Sequence, residues 1–318
     1  GNDYFAYSYD KLVLAPGIDF INPAGNYNAS LTPHAWKAGA QTLLLRDRLA
    51  ALTWSGKVVL TVPKAPYRCP PGPYERTCVI ADWLKKNRTG CRVVVLDANA
   101  DIVVERDNFN RAFTVTHAGV VDYRPNCTVK NIDIANKIVT YDDTVDPAAT
   151  LEWHVLNPIP PQRAPRLLAD AGLYNPNIYY DGTTTFQKFA PINVLTYQST
   201  VTGKSNIHII GDASYTTMPK AGHIGNQQAK TCADAIIRLM KGQPADTAPV
   251  TNSACYTPIT SNTATWLSAV YQYDPTTKKM VILTQHNNGS AIAATSATTE
   301  NYEEMVKWFA ILMGDTFA

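Results

Sequence analysis

The sequence predicts an α/β fold, and three stretches carry that prediction. Lys57 to Pro63 is a short apolar strand, Tyr74 to Lys86 an amphipathic run, and Cys91 to Asp97 a second strand. Together they form a strand–loop–helix–strand unit about the length of a dinucleotide-binding βαβ. Downstream, Asn206 to Ile210 is another apolar strand, ending in Gly211-Asp212-Ala213 and followed by a helix to about Leu239.

With 318 residues the chain is long enough for two or more domains with their own cores. Its 28 basic and 26 acidic residues nearly balance, and no basic stripe runs along it, so no nucleic-acid partner is expected. No apolar run approaches the roughly 20 residues that span a bilayer. The chain starts at Gly1 with no secretory signal, which reads as a processed or incompletely represented polypeptide. The cysteines are 69, 78, 91, 127, 232 and 255, and their pairing is open. No Cys-x-x-Cys-His occurs, so no c-type haem is expected on this chain. The histidines are scattered without metal-ligand spacing, so no metal site is expected.

In order, Lys11 to Ala15 reads as a strand ending in the Pro16-Gly17 turn. His34 to Leu52 has helical spacing at Leu43, Leu44, Leu49 and Leu52. After the βαβ unit, Asp107 to Ala112 is a short helical turn. A β-meander follows: Val120–Tyr123, Cys127–Asp133, Lys137–Tyr141 and Leu151–Val155. Leu167 to Leu173 reads as a short helix, Trp266–Tyr273 with Lys279–Thr284 as a hairpin pair, and Asn301 to Met313 as a helix.

The loop of the βαβ unit is its unusual part. A dinucleotide-binding turn needs glycines so that backbone amides approach a pyrophosphate. Here Cys69-Pro-Pro-Gly-Pro-Tyr-Glu-Arg76 carries prolines, which remove amide donors and lock φ. Such a loop holds Cys69 rigidly at a positive helix end, where a thiolate is expected to be stabilised.

That loop resembles the active-site loop of the flavoprotein subunit of flavocytochrome c sulfide dehydrogenase. Ile159-Pro-Pro-Gln-Arg-Ala164, residues 209–228 and the terminal Gly314-Asp-Thr-Phe317 are similar to the same family. The resemblance implies a two-dinucleotide-binding-domain flavoprotein, disulfide-reductase-like, with a C-terminal α+β domain. The expected domains are 1–36 with 156–245 for FAD, 37–155 for a second dinucleotide fold without an NAD motif, and 246–318. The N-terminal Gly-rich FAD motif of the family is absent from this chain.

By the same resemblance, Cys69 and Cys255 form a redox pair that oxidises hydrosulfide to sulfur or polysulfide, with Glu75 as the base. Pro16, Gly17, Gly211, Asp212, Met218, Pro219, Lys220, Gly222, Asn226 and Trp308 contact FAD. Lys220 is a cation for a reduced flavin, whereas Arg76 reads as a solvated surface charge. Glu75 also admits a plainer role, a carboxylate stabilised at a helix N-terminus. Cys78, Cys91, Cys127 and Cys232 read as structural thiols or a structural disulfide. Electrons would pass to a c-type cytochrome subunit, mono- or dihaem, with haem c on that partner alone, in the periplasm. Two alternatives stand beside this: a sulfide:quinone reductase-like enzyme, and a flavin-free, non-catalytic subunit of the same fold.

Overall fold

The computed structural model describes residues 5–174, 188–283 and 289–317. In chain order the elements begin with β1 (Leu12–Leu14), β2 (Asp19–Phe20), α1 (Ala40–Ala50), β3 (Lys57–Val62), α2 (Gly72–Asn87), β4 (Arg92–Asp97) and α3 (Arg106–Arg111). They continue with β5 (Val121–Arg124), β6 (Thr128–Asp133), β7 (Ile138–Asp142), β8 (Ala149–Glu152), β9 (Val155–Pro158), β10 (Gln162–Arg163) and α4 (Arg166–Asp170). Last come β11 (Ile207–Ile209), α5 (Gly222–Met240), β12 (Val250–Pro258), β13 (Ala264–Asp274), β14 (Lys279–Ile282), β15 (Ile292–Ala293) and α6 (Thr299–Phe317). Thr284, the expected end of the hairpin pair, lies outside the described residues.

Two compact units divide the chain. The first comprises 1–19, 163–253 and 269–291, and the second 20–162, 254–268 and 292–318. The residues after 245 are thus shared between both units, where the sequence suggests a domain of their own.

The second unit is built on a parallel sheet of order β5-β4-β3-β9. Its strands are almost continuously apolar, as expected for a sheet covered on both faces. Val59, Val94, Leu96 and Leu156 pack against Ile132, Val139 and Tyr141 of the antiparallel β6-β7-β8 sheet. Tyr74 and Cys78 of α2 pack with Phe109, Phe113 and Ile259 in a separate cluster. Glu75 in the first turn of α2 and Lys85 and Lys86 in its last complement the helix dipole.

The expected meander is only partly right. Val121 pairs in parallel with Val93, so β5 belongs to the parallel sheet and not to the antiparallel one. The reason is the helical stretch from Arg106 to Thr116, which supplies the long crossover that parallel pairing needs. The last expected strand likewise divides, into β8 of the antiparallel sheet and β9, which pairs in parallel with β3.

In the first unit, β1 pairs in parallel with β11, Leu12 opposite Ile207. Their side chains join Leu168, Leu173, Phe189 and Ala213 in one core.

Candidate functional site

The cysteine loop is held at both ends by the end of β4. Asp97, fully buried, accepts hydrogen bonds from the Tyr74 hydroxyl at 2.8 Å, the Tyr123 hydroxyl at 2.9 Å and the Asn99 amide at 2.8 Å. Asn99 accepts from the Ala65 amide at 3.0 Å and donates to the Pro63 carbonyl at 3.0 Å. One carboxylate therefore fixes the start of the loop through Asn99 and the first turn of α2 through Tyr74.

Between these anchors Cys69 takes a left-handed backbone, φ 57°. That conformation is uncommon for a residue with a Cβ and persists where surroundings over-determine it. Its carbonyl accepts from the Gly72 amide at 2.8 Å. A Cβ at Gly72 would lie 3.0 Å from Cys69 Sγ and 2.8 Å from the Trp36 ring, so only glycine leaves the thiol its place. The sulfur faces a cavity of about 740 Å³ between α1 and α2, lined also by Trp36, Leu45, Leu49, Glu75 and Trp83.

The expectation of a stabilised thiolate fails. Burial pushes the Cys69 thiol well above its usual range, and the nearby charges of Glu75 and Cys255 add to this. The hydrogen bond from Gly72 and the charge of Arg68 act the other way and are the smaller effects. Cys255, in β12, is likewise pushed up, to about 11, by burial and then by Glu105 and Glu75. Both cysteines are unbridged, each half-buried, and close enough for the charge of Cys255 to act on Cys69.

Glu75 is raised from 4.5 to about 7, chiefly by burial. Arg76 lowers it and Glu105 raises it further. A helix dipole acting alone would lower a carboxyl pKa, so desolvation wins here. A group that titrates near neutral pH beside two thiols can both give and take a proton.

Arg76 is not a surface charge. Its guanidinium donates to the carbonyls of His34 at 2.8 Å and Ala35 at 2.6 Å and to Asn157 Oδ1 at 3.3 Å, and it lies 4.7 Å over the Trp36 ring. It clamps the segment before α1 onto α2 and β9. The thiols read as structural are all buried. Cys91, for example, donates to the Thr53 carbonyl at 2.9 Å and accepts from the Gly56 amide at 3.1 Å.

Glu105 escapes a reading of the sequence, because Glu105-Arg-Asp107 looks like a solvated helix start. It is 7% exposed, with φ 49°, and its Oε1 accepts from the Thr257 hydroxyl at 3.0 Å.

The first unit gathers most of the residues expected at a flavin. Pro16 and Gly17 follow β1, and Gly211 and Asp212 follow β11, at the carboxyl ends of two parallel strands. Gly222 opens α5, whose cap residue Ala221 makes no side-chain capping bond. Asn226 lies in its second turn. Cβ positions on Gly17, Gly211 and Gly222 meet nothing within 4 Å, while one on Gly225 would lie 3.7 Å from the Gly211 backbone. An open glycine-lined strand end facing a 19-residue helix N-terminus fits a nucleotide-bearing group.

Met218 is buried there too, and Lys220 after Pro219 is 8% exposed. The Lys220 ammonium donates to the carbonyls of Asp212 at 2.8 Å and Ser214 at 2.9 Å and sits 3.5 Å over the Phe189 ring. Burial lowers its pKa to about 7. Trp308 belongs to the second unit, where its ring meets that of Tyr256 at 5.5 Å, one residue from Cys255. Among the described residues no group of three His, Cys, Asp or Glu side chains could hold a metal ion, and no helix is long and apolar enough to cross a membrane.

Residues 42–160 match the family model described as the central part of the flavoprotein chain of sulfide dehydrogenase (flavocytochrome c). Among solved structures, the sulfide:quinone oxidoreductase of Aquifex aeolicus superposes with a TM-score of 0.68 at 16% identity, over 95% of this chain and 68% of that one. A chain of the Tetrahymena thermophila mitochondrial ATP synthase tetramer gives 0.62 at 18% identity, over 82% and 64%. An NAD-dependent persulfide reductase of A. fulgidus gives 0.53 at 11% identity, over 97% and 58%. This chain thus spans 58% to 68% of the length of these three structures. The resemblance to the sulfide dehydrogenase flavoprotein holds over the central segment, and the fold is the α/β fold of disulfide-reductase-like flavoproteins.

Proposed function

We propose that this chain, whose residues 42–160 carry the central segment of a sulfide dehydrogenase flavoprotein, oxidises hydrosulfide through Cys69, Cys255 and FAD. The observation that carries this is that Cys69 and Glu75 line one cavity of the second unit, with Cys255 near enough for its charge to act on Cys69.

In the proposed step, hydrosulfide enters that cavity and attacks Cys69 Sγ of a Cys69–Cys255 disulfide. The S–S bond breaks, a persulfide forms on Cys69, and Cys255 leaves with the electron pair. Two features favour this direction. Cys69 lines the cavity, and Cys255 has the lower pKa of the two, and so is the better leaving group. Glu75, near neutrality in pKa, takes a proton from hydrogen sulfide on entry and returns one to the Cys255 thiolate. FAD, when bound, would accept the two electrons released as Cys255 re-forms the disulfide with Cys69 and the outer sulfur of the persulfide leaves as zero-valent sulfur or polysulfide. Pro16, Gly17, Gly211, Asp212, Met218, Gly222 and Asn226 would hold it, and Lys220 braces the Asp212–Ser214 backbone.

We propose a c-type cytochrome subunit as the next acceptor, in the periplasm; the match of residues 42–160 to the flavoprotein chain of a flavocytochrome c supports the cytochrome. The quinone-delivering alternative draws on α6, which buries none of its side chains and exposes Val306, Phe309, Ile311 and Phe317. Such a face suits an interfacial helix.

Anaerobic titration of the flavin-loaded protein with sulfide tests the proposal. Bleaching of the flavin band that is lost in Cys69→Ser and in Cys255→Ser is the expected result, and bleaching that survives both substitutions rejects it. Reoxidation by cytochrome c against reoxidation by a soluble quinone separates the two acceptors.

A further inference from the structure

The second unit has another cavity, of about 160 Å³, that the sulfur chemistry does not use. Three parts of the chain bring basic side chains to it. Arg48 comes from the last turn of α1, Lys137 from the turn between β6 and β7, and His154 from the link between β8 and β9. Trp153 completes the polar set, and the other lining residues are apolar, Leu31 and Ile134 among them. No acidic side chain lines this cavity.

Each of the four polar residues has a donor left over. The backbone amide of Lys57 donates to His154 Nδ1 at 3.1 Å, which fixes the neutral ring as the tautomer with its proton on Nε2. That Nε2–H has no partner among the described residues. Trp153 is 7% exposed, and its indole N–H has no hydrogen-bond partner either. A buried indole N–H normally finds one. The side chains of Arg48 and Lys137 make no ion pair or hydrogen bond among the described residues. The acids nearest to them in sequence are taken, Asp47 by Arg46 at 2.8 Å and Asp133 by Asn136. Two cations brought to one small cavity without a counter-charge repel each other, and an anion between them relieves that repulsion. Both are solvent-exposed, so an ion from solution can reach them.

We propose that this cavity binds one small dianionic oxyanion of the sulfate, thiosulfate or hydrogenphosphate type. Two cations match the charge of a dianion. The Arg48 guanidinium offers a fork to two oxygens, and the ammonium, imidazole and indole donors suit the others. The apolar walls lower the local dielectric and strengthen each of these bonds. The site is separate from the cysteine cavity, although α1 lines both, with Arg48 here and Leu45 and Leu49 there.

Isothermal titration calorimetry of the flavin-loaded protein at constant ionic strength tests this. Sulfate, thiosulfate and phosphate are the probes, with acetate and chloride as monoanion controls. The expected result is saturable one-to-one binding of at least one dianion, weakened about tenfold or more in Arg48→Gln and in Lys137→Gln. Both residues are exposed, so neither substitution threatens the core. Lys130→Gln removes a cation of β6 that pairs with Asp142 and does not line the cavity, and it should leave the affinity unchanged. The order of affinity among the three dianions identifies the source of the ion. Absence of saturable binding by all three overturns the proposal, and so does binding that Arg48→Gln and Lys137→Gln leave intact. Equal affinity for acetate or chloride overturns the dianion assignment. An equal loss in Lys130→Gln would mark general screening of surface charge and overturns the site. None of these readouts involves sulfide, so this proposal and the sulfide-oxidising function fall separately.

Discussion

The Tyr74 hydroxyl donates to Asp97 at 2.8 Å, joining the first turn of α2 to the last residue of β4. Both groups are fully buried. Tyr74→Phe therefore leaves a buried carboxyl short of one donor, at a cost of about 1–3 kcal/mol. Urea denaturation measures it, and an unchanged midpoint would show that the Tyr123 and Asn99 bonds suffice alone.

Glu75 predicts a pH dependence with a definite sign. Its carboxyl is raised from 4.5 to about 7 in the folded chain, so between these values the folded state holds more protons than the unfolded one. Stability from this group is present below about pH 4.5 and is lost as pH rises through 7. The loss amounts to about 3 kcal/mol as an order of magnitude. Glu75→Gln should flatten the stability profile between pH 5 and pH 8 in chemical denaturation.

Lys220 acts in the opposite sense at higher pH. Its folded pKa is lowered to about 7 by burial, so the unfolded chain holds the extra proton above that point. Stability from this residue should rise as pH climbs from about 7 towards the ordinary lysine value of 10.5. Lys220→Met should abolish that rise in thermal melts followed by circular dichroism.

Gly72→Ala would put a methyl 2.8 Å from the Trp36 ring and 3.0 Å from Cys69 Sγ. Overpacking of this kind costs about 1–3 kcal/mol. The measurable sign is a lower melting temperature together with an altered alkylation rate at Cys69. Arg76→Lys should also destabilise, by about 1–3 kcal/mol, because one ammonium cannot replace a fork that reaches two carbonyls.

The parts of the site that were legible in sequence are those whose causes are local. The apolar runs of β3 and β4 and the amphipathic run of α2 belong to one contiguous stretch, and the elements form within a residue or two of expectation. The proline-rich loop announced a rigid cysteine. What stayed hidden depends on distant chain. Arg76 becomes a clamp because its acceptors are some forty residues earlier, and Glu105 is buried because Thr257 arrives from about 150 residues later. The thiolate expected at Cys69 failed for the same reason. A helix end is visible in sequence, while the burial that overrides it, with the charges of Glu75 and Cys255 added, appears only in the folded chain.

The placement of the other four thiols bears on chemical self-protection. Persulfides and polysulfides exchange indiscriminately with any thiol they can reach. Cys78, Cys91, Cys127 and Cys232 are between 0% and 4% exposed, whereas Cys69 and Cys255 are the accessible pair. A chain handling reactive sulfur with this arrangement is modified only where modification is reversible by design. The Cys91 thiol shows what is at stake, since its sulfur serves as both donor and acceptor for the turn before β3. Sulfuration there would cost the protein a structural brace, and burial keeps that thiol out of reach of reactive sulfur.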